Sequence, residues 1–322
     1  MSYPNPTNIR HVALIGTGLI GAGWAALFLA RGLAVHAIDP APGAEDRLRK
    51  TVSEMWPSLV GLGQAEGEPD HTRLSFATIP GSALSDAELV QESAPEKLEL
   101  KRALLAKVEG LVSESAVIAS STSALLVGDI QKECRKPQRV IAAHPFNPPH
   151  ILPLVEVSGG PATDPAALDW AMAFYAWLGK KPVRLGRQVE GHIAGRLSAA
   201  LWREAVSLVE QGVATVADID AAVRHGPGPR WATTGCHLTY HLGGGTGGLA
   251  HYLAHLGPSQ QRRWDDLGTP RLTPALCQKL AEGVEAETEG ADIAALVEER
   301  DRRLMALLQA LSGKADQKRP SR

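Results

Sequence analysis

Cysteine is scarce in this chain. Cys134, Cys236 and Cys277 are spread over 322 positions, too far apart for a disulfide framework and without the paired spacing of a zinc site. A reducing compartment follows as the expectation, the cytoplasm being the simplest. An excess of either charge is missing too. The 33 basic and 35 acidic residues leave a formal net charge of −2, so no global field draws the chain to nucleic acid or an anionic membrane. No apolar run reaches the roughly 20 residues of a membrane-spanning helix. The opening Met1-Ser-Tyr-Pro-Asn-Pro6 lacks the basic and apolar regions of a signal peptide. Disorder is excluded from the other side, because 44% of residues are hydrophobic. The length suggests two domains.

What is present has an uneven distribution. Strand patterns at Val12–Ile15, Ala34–Ile38, Leu89–Glu92, Ala116–Ser120, Val140–Ala143, Leu154–Val157 and Pro182–Leu185 alternate with helical stretches such as Leu98–Leu111 and Ala166–Leu178. Such alternation predicts an α/β fold, a doubly wound and mostly parallel sheet covered on both faces. After about Gln188 only helical patterns remain: Ile193–Val213, Asp218–Arg224, His237–Leu242, Leu249–Leu256, Pro274–Glu289 and Asp292–Leu311. We therefore expect domains at 1–187 and 188–322, the second an all-helical C-terminal domain. The basic tail from Lys314 reads as frayed.

The first strand runs into Gly16-Thr-Gly18-Leu19-Ile20-Gly21 and then into an apolar helix. In a Rossmann-type turn, Gly16 permits the tight bend, Gly18 admits a pyrophosphate close to the backbone, and Gly21 allows close helix–strand packing. Free amides at the helix start, those of Leu19 and Ile20 among them, then face the phosphates. Asp39 ends the second strand, where a carboxylate binds both ribose hydroxyls and repels a 2′-phosphate. No lysine or arginine follows before Arg47, so NAD is favoured over NADP.

His144-Pro-Phe-Asn147-Pro148 is the second motif, with Glu156 twelve residues beyond His144 inside the apolar Leu154-Val-Glu-Val157. Histidine suits proton transfer near neutral pH, and a carboxylate on its other nitrogen fixes the tautomer. A charge in such a strand is costly without a partner. On spacing alone, a strand-end histidine and an edge-strand glutamate without chemistry remain the alternative.

These residues resemble the 3-hydroxyacyl-CoA dehydrogenase family. Ser120-Ser-Thr-Ser123 is similar to its serine motif, His144–Pro148 to its histidine motif and Val155-Glu156-Val157 to its glutamate motif. The resemblance implies His144 as general base, Glu156 as its orienting partner, Ser123 as a hydrogen bond to the substrate oxygen, and Asn147 as support. It also implies that Glu96, Lys101 and Ser121 lie near the cofactor, Ser121 standing where the family usually has asparagine. In Gly191-His-Ile-Ala-Gly195-Arg196, Gly195 replaces a residue that is usually asparagine or aspartate and commonly contacts substrate or the histidine.

A CoA thioester carries several phosphates, which call for basic side chains near the entrance. Between Lys50 and Lys97 there is only Arg73, and Gly61–Asp70 is acidic. Leu201–Ala205, Gly226–Ala232 and Leu238–Tyr240 are similar to the branch of L-carnitine and L-gulonate 3-dehydrogenases, which implies a small free 3-hydroxy carboxylate as substrate. Arg230 could meet its carboxylate, and Trp231 or Tyr240 a quaternary ammonium. Packing between subunits is the equal alternative for all three, and Thr233, Thr234 and His237 depart from the bulkier residues of a carnitine enzyme. An acyl-CoA substrate, or imine and amine chemistry in a site reshaped at Gly195, stay open. His237/His241 and His251/His255 have metal-pair spacing but lack an adjacent glutamate, so no metal is read from them. Apolar stripes on Ile193–Val209 and Ala294–Leu311 suggest a homodimer.

Overall fold

The computed structural model describes residues 3–312; the tail from Lys314 lies outside them. The first strand, β1 (His11–Ile15), is wholly apolar after His11 and sits at the centre of a sheet. After it come α1 (Leu19–Ala30), β2 (Ala34–Ile38), α2 (Ala44–Gly61), β3 (Leu74–Ala77), β4 (Leu89–Glu92), α3 (Leu98–Val108), β5 (Val117–Ser120), α4 (Val127–Ile130), β6 (Val140–Pro145), β7 (Leu154–Gly159), α5 (Pro165–Trp177) and β8 (Lys181–Arg184). Among the described residues the sheet has eight strands in the order β3-β2-β1-β4-β5-β6-β7-β8. All neighbours are parallel except β6 and β7. The first six positions have the doubly wound order, whose ligand crevice opens beyond the carboxyl ends of the strands, between β1 and β4.

Helices cover both faces. On one, Trp24 and Phe28 of α1, Trp56 of α2 and Trp170, Phe174 and Tyr175 of α5 form a single cluster with Val12, Leu14 and Val35. On the other, Leu105 and Val108 of α3 and Ile130 of α4 pack on Ala13, Ile15 and Ile118. Helix α1 has nine consecutive buried residues, Gly21–Leu29, which explains its apolar character on every face. Asp164 caps α5 by accepting from the Ala166 amide, with Pro165 in the first turn. Helix α2 and strand β3 escape the sequence pattern: α2 opens on charged residues, and β3 is a four-residue edge strand.

The helical region holds α6 (Ala194–Glu210), α7 (Val216–His225), α8 (Pro227–Gly243), α9 (Gly248–Asp266), α10 (Pro274–Thr288) and α11 (Ile293–Leu311). Two compact units emerge: residues up to Arg196 together with those from Arg300, and Leu197–Glu299. In the second unit Thr215 and Asp218 form a reciprocal capping box at α7. Gly235, with φ 68° and ψ −172°, breaks α8 into two pieces. Among the described residues no helix is long and apolar enough to cross a membrane.

His150, in the loop between β6 and β7, is buried, and its Nδ1 has no hydrogen-bond partner among the described residues. Burial lowers its pKa to about 4. The folded state therefore binds this proton less readily than the unfolded one: full stability is present above about pH 6.5 and is lost as pH falls toward 4. Between pH 7 and pH 5 the loss from this group should be about 2 kcal/mol. Urea unfolding of wild type and His150→Leu at both pH values should show a smaller acid loss in the variant by about that amount; equal losses would contradict the assignment.

Candidate active site

Antiparallel pairing explains why two residues twelve apart in sequence meet. In the β6–β7 register His144 stands directly opposite Glu156, and residues so paired have neighbouring side chains. His144 Nδ1 lies 3.0 Å from Glu156 Oε2. The other oxygen, Oε1, accepts from the Ile193 and Ala194 amides at 2.7 and 2.9 Å. Burial works to raise the Glu156 pKa, but hydrogen bonds from His144 and these two amides outweigh it, and the carboxyl is held below its usual range. Since the carboxylate is an acceptor, Nδ1 carries the hydrogen and Nε2 the lone pair. Such an imidazole can take a proton and be stabilised as a cation by the group behind it.

The serine motif is built on a different carboxylate. Glu96 Oε1 accepts from the Thr122 hydroxyl at 2.5 Å and from the Ser123, Ala124 and Leu125 amides at 2.9, 2.9 and 3.3 Å. Burial opposes this charge, yet the Thr122 hydroxyl, the amides and the Lys101 charge bring its pKa down to about 2. Lys101 is fully buried. Its ammonium donates to Glu92 Oε1 at 2.7 Å and to the Ala94 carbonyl at 3.0 Å, and forms an ion pair with Glu96 Oε2 at 3.3 Å. Glu96 and Lys101 thus hold in place the turn that presents Ser123.

One cavity of about 510 Å³ gathers much of this. His144, Ser123, Ser121, Asn147, Glu96, Lys101, Ile20 and Gly195 all line it, with Ser93 and Phe146. Glu156 stands behind His144 rather than on the cavity wall. A Cβ added at Gly195 would meet nothing within 4 Å, so the missing polar side chain leaves open space. Arg230, Trp231 and Tyr240 lie on α8 in the helical unit. Arg230 and Tyr240 are exposed and Trp231 half-buried, while the Tyr240 ring packs on Tyr252 with centroids 5.1 Å apart.

The glycine turn has the geometry a dinucleotide needs. Gly16 has φ +84°, and a Cβ there would fall 2.6 Å from the Ser93 carbonyl oxygen. At Gly21 a Cβ would lie 2.0 Å from the Gly16 carbonyl oxygen, so only glycine fits either place. At Gly18 nothing lies within 4 Å, and no side chain caps α1, which leaves the Leu19 and Ile20 amides to a phosphate. Asp39 Oδ2 accepts from the Thr17 amide and hydroxyl at 2.8 and 2.9 Å, and Oδ1 from the Ala41 amide at 2.9 Å. Burial pushes the Asp39 carboxyl up, but these bonds win and hold it low. The residues present fit NAD.

Sequence reasoning missed a buried polar cluster behind Ser121. Its Oγ is 3.1 Å from Trp24 Nε1, 2.9 Å from Gln91 Nε2 and 2.9 Å from Ser93 Oγ, and Tyr175 donates to Gln91 Oε1 at 2.5 Å. The available signal was Gln91-Glu92 inside an apolar strand, the same anomaly that exposed Glu156. Also missed were the Ile193 and Ala194 amides and the ring of His192, because backbone donors leave no mark in sequence and His192 follows no motif spacing.

A doubly wound sheet, a glycine turn fitted to NAD and a carboxylate-backed histidine beside a serine hydroxyl define an NAD-dependent 3-hydroxy acid dehydrogenase. The chain belongs to the 3-hydroxyacyl-CoA dehydrogenase family: its NAD binding domain matches residues 11–189 and its C-terminal domain residues 191–284. The L-carnitine dehydrogenase of Streptomyces griseus is 51% identical over 305 residues, 95% of this chain and 91% of the relative. That of Bacillus cereus is 44% identical over 304 residues, covering 94% and 93%. Among solved structures, 5-formyl-3-hydroxy-2-methylpyridine 4-carboxylic acid 5-dehydrogenase, an NAD-dependent dismutase, is similar at 30% identity with a TM-score of 0.78, covering 95% of this chain and 99% of that one.

Asp39→Ala should weaken NADH binding about 10- to 100-fold, the value of losing hydrogen bonds to a charged acceptor, and narrow the preference over NADPH. Fluorescence titration with both cofactors checks this; unchanged affinity for NADH would remove Asp39 from the ribose site.

Proposed function

We propose that this enzyme oxidises a small free 3-hydroxy carboxylate, L-carnitine foremost, to the 3-oxo acid. The observation that carries the reading is the His144–Glu156 pair at 3.0 Å, with His144 and Ser123 lining one cavity, in a chain half identical to L-carnitine dehydrogenases. His144 Nε2 takes the hydroxyl proton as general base. Glu156 then faces an imidazolium and offsets its charge. Ser123 donates to the substrate oxygen, and Asn147 supports the same polar wall. When bound, NAD supplies the acceptor for the C3 hydrogen and its electron pair.

The free acid is preferred to a CoA ester because the segment between Lys50 and Lys97 offers so little positive charge. Its one arginine, Arg73, is engaged by Asp70 Oδ2 at 3.2 Å and by the Gly32 carbonyl at 2.9 Å. On this reading Arg230 offers a guanidinium to the carboxylate, and Trp231 or Tyr240 an aromatic face to a quaternary ammonium. The helical region that follows residue 187 serves, on the same reading, for substrate binding and dimerisation. Exposed Leu197, Trp202, Leu242 and Trp264 in the helical unit support pairing with a second copy, since so much bare apolar surface is unusual for a monomer.

Initial rates of NAD reduction with L-carnitine, L-gulonate, 3-hydroxybutyrate and 3-hydroxybutyryl-CoA test the substrate. L-carnitine should exceed the CoA ester at least a hundredfold in kcat/KM, about 2.7 kcal/mol of transition-state binding; a faster ester would overturn the assignment. His144→Gln should cost about 10²- to 10⁴-fold in kcat/KM while NADH affinity is kept. Near-normal turnover in that variant would end the general-base role.

A further inference from the structure

His192 occupies a position that is locally unfavourable twice over. Its backbone has φ +49°, a left-handed conformation that costs a non-glycine residue free energy. Its ring is buried, and Nδ1 has no hydrogen-bond partner among the described residues, although a buried unsatisfied acceptor also costs. Such strain persists only where other contacts over-determine it, and the contacts here are specific. The ring stacks on His144, with centroids 4.8 Å apart and planes 13° from parallel. Nε2 lies 2.9 Å from the Thr122 carbonyl oxygen. A carbonyl only accepts, so Nε2 carries the hydrogen and the bare nitrogen is Nδ1.

Each contact falls on a different part of the site. His144 belongs to β6. Thr122 immediately precedes Ser123, and its hydroxyl is held by Glu96. The next two amides after His192, those of Ile193 and Ala194, hold Glu156. We propose that His192 is a positioning residue for the oxidation, fixing the plane of the His144 ring by stacking and the place of Ser123 through its bond to the Thr122 carbonyl. The ring does this as a neutral imidazole. Burial lowers its pKa and the neighbouring His144 adds to the effect, against the Thr122 bond and the charges of Glu156 and Glu96. Neutrality matters because a charged ring stacked on His144 would oppose the arrival of a second proton in the site. A phenyl ring could stack there but could not donate to Thr122, which is why histidine is required.

The inference rests on the hydroxy-acid reading of the site, and its test separates the two. Wild-type rates on the substrate panel decide the substrate. The positioning role is decided by ratios of variant to wild type on whichever substrate wild type turns over fastest. His192→Phe keeps an aromatic face and removes the donor; His192→Asn tolerates positive φ and keeps a donor but removes the stack. Each should lower kcat about tenfold, with NADH affinity from fluorescence titration and thermal midpoint close to wild type. In a Ser123→Ala background the loss from His192→Phe should shrink below twofold, because the residue then has no serine to place. Undiminished kcat in both variants overturns the proposal. So does a full tenfold loss persisting without Ser123, or a loss that appears only with a collapsed thermal midpoint in both variants.

Discussion

The active site is organised around one buried carboxylate. Glu156 is 1% exposed, and an ionised carboxylate is removed from water at a cost of several kcal/mol unless its oxygens are fully engaged. It has three partners from two places: the His144 ring on the neighbouring strand, and the successive Ile193 and Ala194 amides where the chain enters α6. Satisfying Glu156 therefore fixes the strand pair β6–β7 and the entry to α6 together. The antiparallel reversal at β6–β7 is what makes this possible, since only there does a twelve-residue separation bring two side chains face to face.

A second buried carboxylate shows why the first is special. Glu92 is fully buried too, but it meets the Lys101 ammonium at 2.7 Å and also accepts from Ser120 and from the Ala94 amide. Its charge is cancelled by a fixed cation, and the group is architectural: it ties the end of β4 to β5 and α3. Among the described residues no lysine or arginine is hydrogen-bonded to Glu156. Its negative charge is answered only when the opposed imidazole becomes protonated, so in the proposed mechanism the electrostatic gain comes as His144 takes a proton rather than before. Preorganised groups placed where charge develops are the most effective kind.

Much of this was legible in the sequence. Gly16, Gly18 and Gly21 announced a dinucleotide turn, and the structure shows why the first and third admit no Cβ. Glu156 was legible because a charge in an apolar strand demands a partner. The antiparallel direction of β7 was not, since strand periodicity is the same in either direction. Helix α2 was hidden by its charged opening, and β3 by its brevity at the sheet edge. Least legible of all were the contacts of residues 192–194, where two amides and a strained histidine act. Gly195 showed only as a departure; the open space around it is a property of packing.

Ser121 illustrates how a departure can be absorbed. It stands where the family resemblance implies an asparagine, and its single hydroxyl is the hub of a buried cluster. The Trp24 ring nitrogen only donates, so Ser121 accepts from it. Tyr175 is fully buried and bonds Gln91; its hydrogen needs the Gln91 oxygen as acceptor, which turns the Gln91 amide nitrogen toward Ser121. Both lone pairs of Ser121 are then occupied, and its own hydrogen must go to Ser93. Every bond from Tyr175 to Ser93 thus runs in one direction. At its end the Ser93 hydroxyl keeps a free hydrogen, on the wall of the cavity that holds His144. A buried polar network is costly where a hydroxyl is left without a partner, and here the run of hydroxyl bonds ends by passing its last O–H donor outward to the site.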